Sequence, residues 1–140
     1  MEYRVITDYR EIDFNEVREV IANAGLTDRP AEVFQKAFKN SYLTVFVILD
    51  DKLIGVGRAI SDGTYEAGIY DLAVLPEYQG KGLGRMIMDE IMKALDGMNV
   101  ILYARPGAEN FYKKRGFRNL LTGKIRFVKA ETMQRKGFTD

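Results

Sequence analysis

Gln79-Gly80-Lys81-Gly82-Leu83-Gly84-Arg85 is the stretch of this sequence whose residue types and spacing lend themselves most directly to chemistry. Glycines at alternate positions let the main chain approach a ligand with no Cβ in the way. The apolar run Leu72-Ala73-Val74-Leu75 breaks at Pro76 just before it, and a helical apolar pattern starts just after it. That order predicts a strand, a turn and a helix start in succession. The first turn of such a helix presents unpaired N–H groups at the positive end of its dipole, a combination that holds a phosphate or diphosphate. Lys81 and Arg85 either add charge to this cradle or form a solvated helix start. Histidine and cysteine are both absent, so protons near neutral pH must move through carboxylates, tyrosines, lysines or bound water. The lack of cysteine also excludes disulfides, thiolate metal sites and a cysteine nucleophile, and no metal is expected.

Spacing separates the phosphate-binding motifs. The dinucleotide fingerprint G-x-G-x-x-G/A fails when read from Gly80, which puts Arg85 last, and from Gly82, which puts Ile87 last. A Walker loop needs Gly-Lys-[Ser/Thr], whereas Gly82 follows Lys81. The pattern Q/R-x-x-G-x-G/A does fit, through Gln79, Gly82 and Gly84. It resembles the acyl-CoA loop of the GCN5-related N-acetyltransferase (GNAT) superfamily. Downstream, Ala108-Glu109-Asn110-Phe111-Tyr112-Lys113-Lys114-Arg115-Gly116-Phe117 is similar to the family's A-x-x-F-Y-x-K-x-G-F segment. In the family that segment forms the helix beside the CoA thiol and the strand after it. The resemblance covers nearly the whole chain, thinning before about Tyr42 and after Gly123.

The resemblance implies roles. Gln79, Gly80, Lys81, Gly82, Leu83, Gly84 and Arg85 would bind the diphosphate of acetyl-CoA, mainly through main-chain N–H groups. The main chain of Leu72, Ala73, Val74 and Leu75 would bond the pantetheine arm. Tyr112 matches the tyrosine whose hydroxyl points at the CoA sulfur, and a phenol with a pKa near 10 stays protonated at neutral pH and can donate to a thiolate. Its alternative is packing under the helix. The resembling proteins often use a carboxylate of the fourth strand as base, and the candidates are Asp71 and Glu66. Strand alternation puts Glu66 on the face of Gly68 and Asp71 on the other, unless a bulge intervenes as it does in the family. Asp71 lies nearer the acetyl position that the resemblance implies, and a water chain could serve in place of either. Many relatives carry asparagine where this sequence has Arg105, which leaves a side-chain bond to CoA there open.

The elements that must position these residues can be read in order. Tyr3 to Ile6 is a short strand. Asp13 starts a helix as N-cap, with Glu16 three residues on, and Phe14, Val17, Ile21 and Ala24 as its apolar face before Gly25. A second helix spans about Pro30 to Lys39, with Asp28 as a cap and Val33, Phe34, Ala37 and Phe38 on one side. Strands follow at Tyr42 to Leu49, Leu53 to Ile60 and Tyr65 to Leu75, the first two forming a hairpin through Asp50-Asp51-Lys52. The helix after the glycine turn carries Leu83, Ile87, Ile91, Ala94 and Leu95 and stops at Gly97. Val100 to Ala104 is the next strand, reached by a parallel crossover. Thr122 to Ala130 alternates weakly and is read as closing the sheet, with a polar, mobile tail beyond Glu131. The resemblance implies an α/β (α+β) fold: a mixed, mostly antiparallel central sheet flanked by helices, its fourth and fifth strands splayed.

Composition bounds the partners. With 140 residues and 46% hydrophobic side chains, 1–140 reads as a single domain. A net charge of +1, from 21 basic and 20 acidic residues, gives no push towards nucleic acid or an anionic membrane. Glu2-Tyr3-Arg4 opens no signal-peptide pattern and no apolar run is long enough to span a bilayer, so a cytoplasmic location is the default expectation. The leading function is acetyl transfer from acetyl-CoA to a primary amine of a small molecule. A peptide or protein amine, or a catalytically silent CoA-sensing module, are the alternatives. A homodimer is left open, since dimerisation is common among similar proteins.

Overall fold

The computed structural model describes residues 2–140. The chain forms two compact units, one running to Leu102 and the other spanning Tyr103–Asp140.

In the first unit, five strands form one sheet: β1 (Arg4–Ile6), β2 (Leu43–Leu49), β3 (Lys52–Ser61), β4 (Glu66–Val74) and β5 (Asn99–Ile101). They lie in sequence order. The first three pairings are antiparallel and β4 pairs with β5 in parallel, as the crossover predicts. The mixed, mostly antiparallel α/β sheet is therefore present. The β4–β5 ladder runs only from Glu66↔Asn99 to Gly68↔Ile101, while β4 continues to Val74. From Ile69 onward the outer edge of β4 has no strand partner among the described residues, which is the splay the resemblance implies.

Helix α1 (Phe14–Asn23) is capped by Asp13, whose Oδ1 accepts from Asn15 N at 2.9 Å. The anticipated partner in a capping box behaves differently, because Glu16 Oε1 accepts from Leu53 N at 3.3 Å and ties the helix to β3. Helix α2 (Ala31–Lys39) starts at Pro30 with no side-chain cap, and Asp28 instead pairs with Arg18 at 2.7 Å. The guanidinium offers a charge-assisted bond that outbids a cap. Phe38 of α2, Phe14 of α1 and Phe46 of β2 pack with centroids 5.6 to 6.4 Å apart. Val33, placed with the apolar side from sequence, is exposed. The β2–β3 turn carries Asp50 and Asp51 at φ 49° and 62°, a backbone that matches the twist of a tight hairpin.

Helix α3 (Leu83–Ala94) covers the opposite face of the sheet through Leu83, Ile87, Met88 and Ile91. Its approach depends on Gly57, where a Cβ would stand 2.8 Å from Ile87 Cγ2 and 3.1 Å from Ile91 Cδ1. Side chains alternate along a strand. Arg58 accordingly points to the other face, over the Phe38 ring.

The β3–β4 register shifts between Arg58↔Tyr70 and Val56↔Ala73, so Asp71 and Leu72 both oppose Gly57. This is the bulge on which the direction of Asp71 depended. Asp71 sits in it at φ 56°, a left-handed position usually given to glycine, costing an L residue about 1 kcal/mol.

In the second unit, α4 (Glu109–Lys113) and α5 (Ala130–Arg135) are the regular elements. Two expectations fail here. No strand follows Gly116, and Thr122 to Ala130 forms none either. Lys124, Arg126 and Lys129 interrupt the alternation, leaving Leu121, Ile125 and Val128 exposed and no face to bury. Phe127 alone anchors the stretch, edge-on to Tyr103 at 5.5 Å and Phe138 at 6.1 Å. The tail anticipated as mobile winds into α5.

Candidate active site

The glycine turn follows its spacing. Pro76–Tyr78 forms one 3₁₀ turn, Gln79 is extended, and Gly80 and Gly82 take φ of 78° and 82°. A Cβ at either glycine would meet nothing within 4 Å. Conformation, not crowding, therefore requires glycine here, and the space above the turn is open. The first bond of α3 runs from Met86 N to Gly82 O at 3.0 Å. The amides of Leu83, Gly84 and Arg85 precede that ladder, and the first turn holds no acidic side chain to compete for an anion. Open space above three forward amides fits a diphosphate. Lys81 and Arg85 are exposed beside it.

Side chains around the turn add detail that sequence did not supply. Gln79 Nε2 donates to Val74 O at 2.9 Å, fastening the turn to the end of β4. Lys81 and Lys52 place their ammonium groups 5.7 and 5.9 Å from the Tyr78 ring centroid, so two cations flank one ring. Lys52 lies in a hairpin distant in sequence, and nothing in its local pattern marks it.

The edge of β4 runs into this turn. Leu75 N donates to Ile54 O at 2.9 Å. Ladder alternation then turns Ala73 towards β3 and the polar main-chain groups of Leu72 and Val74 outward, where Val74 O takes the Gln79 bond and the others stay open. Open main-chain edge and forward amides thus lie in succession along the chain.

The two carboxylates differ. Asp71 Oδ2 accepts from Arg58 Nε at 2.7 Å, with 17% and 15% of the respective side chains exposed. Arg58 also lies over the Tyr70 ring and reaches Ser41 Oγ. Glu66 is exposed at the start of β4, where its amide donates to Asp62 Oδ1 and its carbonyl accepts from Ser61 Oγ. Asp62 Oδ1 also takes the amides of Thr64 and Tyr65, and this set of bonds holds its carboxyl below the usual carboxylate range. Arg58 was not singled out from sequence, because its partner stands across a register shift that no local pattern reveals.

Tyr112 belongs to the second unit, in α4, half-buried between Phe111 at 5.0 Å and Phe117 at 6.0 Å. Burial pushes its phenol above the ordinary value, with the Arg105 charge acting the other way. Arg115 stacks 3.9 Å from the Phe111 ring centroid and donates from Nη1 to Phe111 O at 2.8 Å, stiffening the segment around Tyr112.

Comparison with known proteins identifies the family. A family model described as an acetyltransferase (GNAT) domain matches residues 41–119, which include the glycine turn, β4 and Tyr112. An "Uncharacterized N-acetyltransferase ycf52-like" of Prochlorococcus marinus is 34% identical over 120 residues, covering 81% of this chain and 67% of the relative. The chloroplastic "Serotonin N-acetyltransferase 2" of Oryza sativa subsp. japonica is 33% identical over 116 residues, covering 76% of this chain and 56% of the relative. The crystal structure of a "Probable Acetyltransferase" from meticillin-resistant Staphylococcus aureus superposes with a TM-score of 0.82 at 31% identity, covering 91% of this chain and 99% of that one. The chain thus spans about two thirds of one curated relative and little more than half of the other. With the glycine turn, the splayed β4 edge and the matched domain in agreement, this chain belongs to the GNAT superfamily of acetyltransferases.

Proposed function

We propose that this protein moves an acetyl group from acetyl-CoA to the primary amine of a small molecule by direct attack. The observation that carries the reading is the open edge of β4 leading, through a left-handed glycine turn, to the forward amides of α3. Acetyl-CoA supplies an acyl thioester, whose C–S bond breaks as the amine nitrogen forms the new C–N bond. The amides of Gly80 to Arg85 hold the diphosphate, and Lys81 and Arg85 add charge. The outward main chain of Leu72 and the outward N–H of Val74 receive the pantetheine arm, with Ala73 holding that edge to β3 and Val74 O kept by Gln79. Gln79 keeps the turn in register with the edge.

Two protons must be managed. The attacking amine loses one, to Asp71 or Glu66 directly or through water, and the departing sulfur gains one from Tyr112. A phenol raised by burial remains a donor throughout the neutral range. Positioning does the rest, since holding amine and thioester together removes much of the entropic barrier. The similarity to a serotonin N-acetyltransferase supports an arylalkylamine among the small acceptors.

A thiol-release assay with acetyl-CoA and a panel of arylalkylamines, polyamines, aminoglycosides and peptides tests the proposal. Turnover is expected with one small-amine class. Turnover confined to peptides would replace the acceptor, and CoA binding without release on any acceptor would replace catalysis by sensing.

A further inference from the structure

Proton transfer does not account for the polar cluster centred on Arg58 in the first unit. Arg58 Nε donates to Asp71 Oδ2 at 2.7 Å and its Nη1 to Ser41 Oγ at 3.3 Å. The same guanidinium carbon lies 5.7 Å from the Phe38 ring centroid and 5.4 Å from that of Tyr70. One planar group therefore meets the last turn of α2, Ser41 two residues beyond it, and two positions of β4. A lysine could not reproduce this, because only the flat fork bonds two oxygens while lying between rings.

Asp71 is the unusual partner. It occupies the bulge at φ 56°, where glycine would carry no steric penalty. The chain keeps a carboxylate in a backbone state that disfavours it, and that carboxylate is bonded to Arg58. A bulge re-aims the residues that follow it. Here those residues are Leu72 to Val74, the edge that receives the pantetheine arm in the reaction proposed above.

We infer that Arg58 is a positioning residue for acyl-CoA binding. Through Asp71 it locks the β4 bulge and so sets the direction of the Leu72–Val74 edge. Through Phe38 and Ser41 it ties that edge to the end of α2. The inference rests on the CoA site proposed above and gives Asp71 a duty separate from taking a proton.

The test is CoA binding by calorimetry, which involves no acyl transfer and is therefore blind to any role of Asp71 as base. Four proteins are compared: the native chain, Arg58→Met, Asp71→Gly and the double variant. Methionine retains an apolar stem between the rings, and glycine accepts the left-handed backbone. In a single variant one charge loses its partner, whereas the double variant leaves neither unpaired. The double variant is expected to fold and to bind CoA about tenfold more weakly, with the single variants no better than the double. Arg58→Lys is expected not to restore affinity, and amide exchange at Leu72 to Val74 is expected to quicken in every variant. A folded double variant that binds CoA within about twofold of the native chain overturns the inference. Should the double variant not fold, Arg58→Lys, which keeps the charge but loses the planar fork, decides by the same criterion. Failure of the native chain itself to bind CoA overturns the reading beneath the inference, and the inference with it.

Discussion

A phenol can hand a proton to a departing thiolate only while it still holds one, and the setting of Tyr112 keeps it protonated to higher pH than an exposed tyrosine. Tyr112→Phe should lower kcat by about a hundredfold in the thiol-release assay while CoA affinity measured by calorimetry stays near native. The same burial has a stability consequence. The unfolded chain releases this proton near pH 10.0, the folded chain later, so above that value the folded state binds the extra proton. Stability is then whole below the unfolded pKa and falls as pH rises through the folded one. Urea midpoints followed from neutral pH upward should show that decline in the native chain and a shallower one in Tyr112→Phe. For the amine proton, Asp71→Asn and Glu66→Gln separate the candidates: the variant that removes the base lowers kcat in the thiol-release assay, and the other retains it. Tyr112 was legible because its neighbours Phe111, Gly116 and Phe117 fix its position in a recognisable segment. Arg58 was not, since an arginine in a hairpin strand has no local signature and its partner is chosen by a bulge.

At the scale of elements, two glycines carry opposite arguments. Gly57 is there for space, because α3 packs its Ile87 and Ile91 onto the bare backbone of β3. Gly57→Val should destabilise the protein by about 1–3 kcal/mol in urea titrations, as the overpacked helix lifts from the sheet. Gly82 is there for conformation, with open space around it and φ at 82°. Gly82→Ala should cost about 1 kcal/mol without any clash and should weaken CoA binding, because the turn that aims the amides relaxes. Both glycines sit in elements that sequence located well, since β2, β3, β4 and α3 each bury a strong apolar pattern. Misreadings occurred where patterns were thin. Asp28 had the chemistry of a cap and was taken by Arg18 instead. Thr122 to Ala130 had β-forming residues but too many charges among them to bury a face.

For the molecule as a whole, the β4 edge and the glycine turn proposed to bind acyl-CoA belong to the first unit, and Tyr112 belongs to the second. Among the described residues no helix is long and apolar enough to cross a membrane. The family was readable from two motifs in the right order, because the glycine turn and the tyrosine segment each answer a specific chemical need. The acceptor was not, because apolar and aromatic side chains such as Phe34 and Phe38 serve a core as readily as a pocket, and both prove to be buried. The central claim is that Leu72 to Val74 and Gly80 to Arg85 together form the acyl-CoA site. Amide hydrogen exchange with and without acetyl-CoA tests it most directly, since it needs no knowledge of the acceptor. Slowed exchange concentrated in those two segments is the predicted result. Unchanged exchange there, with protection elsewhere or nowhere, would contradict the account.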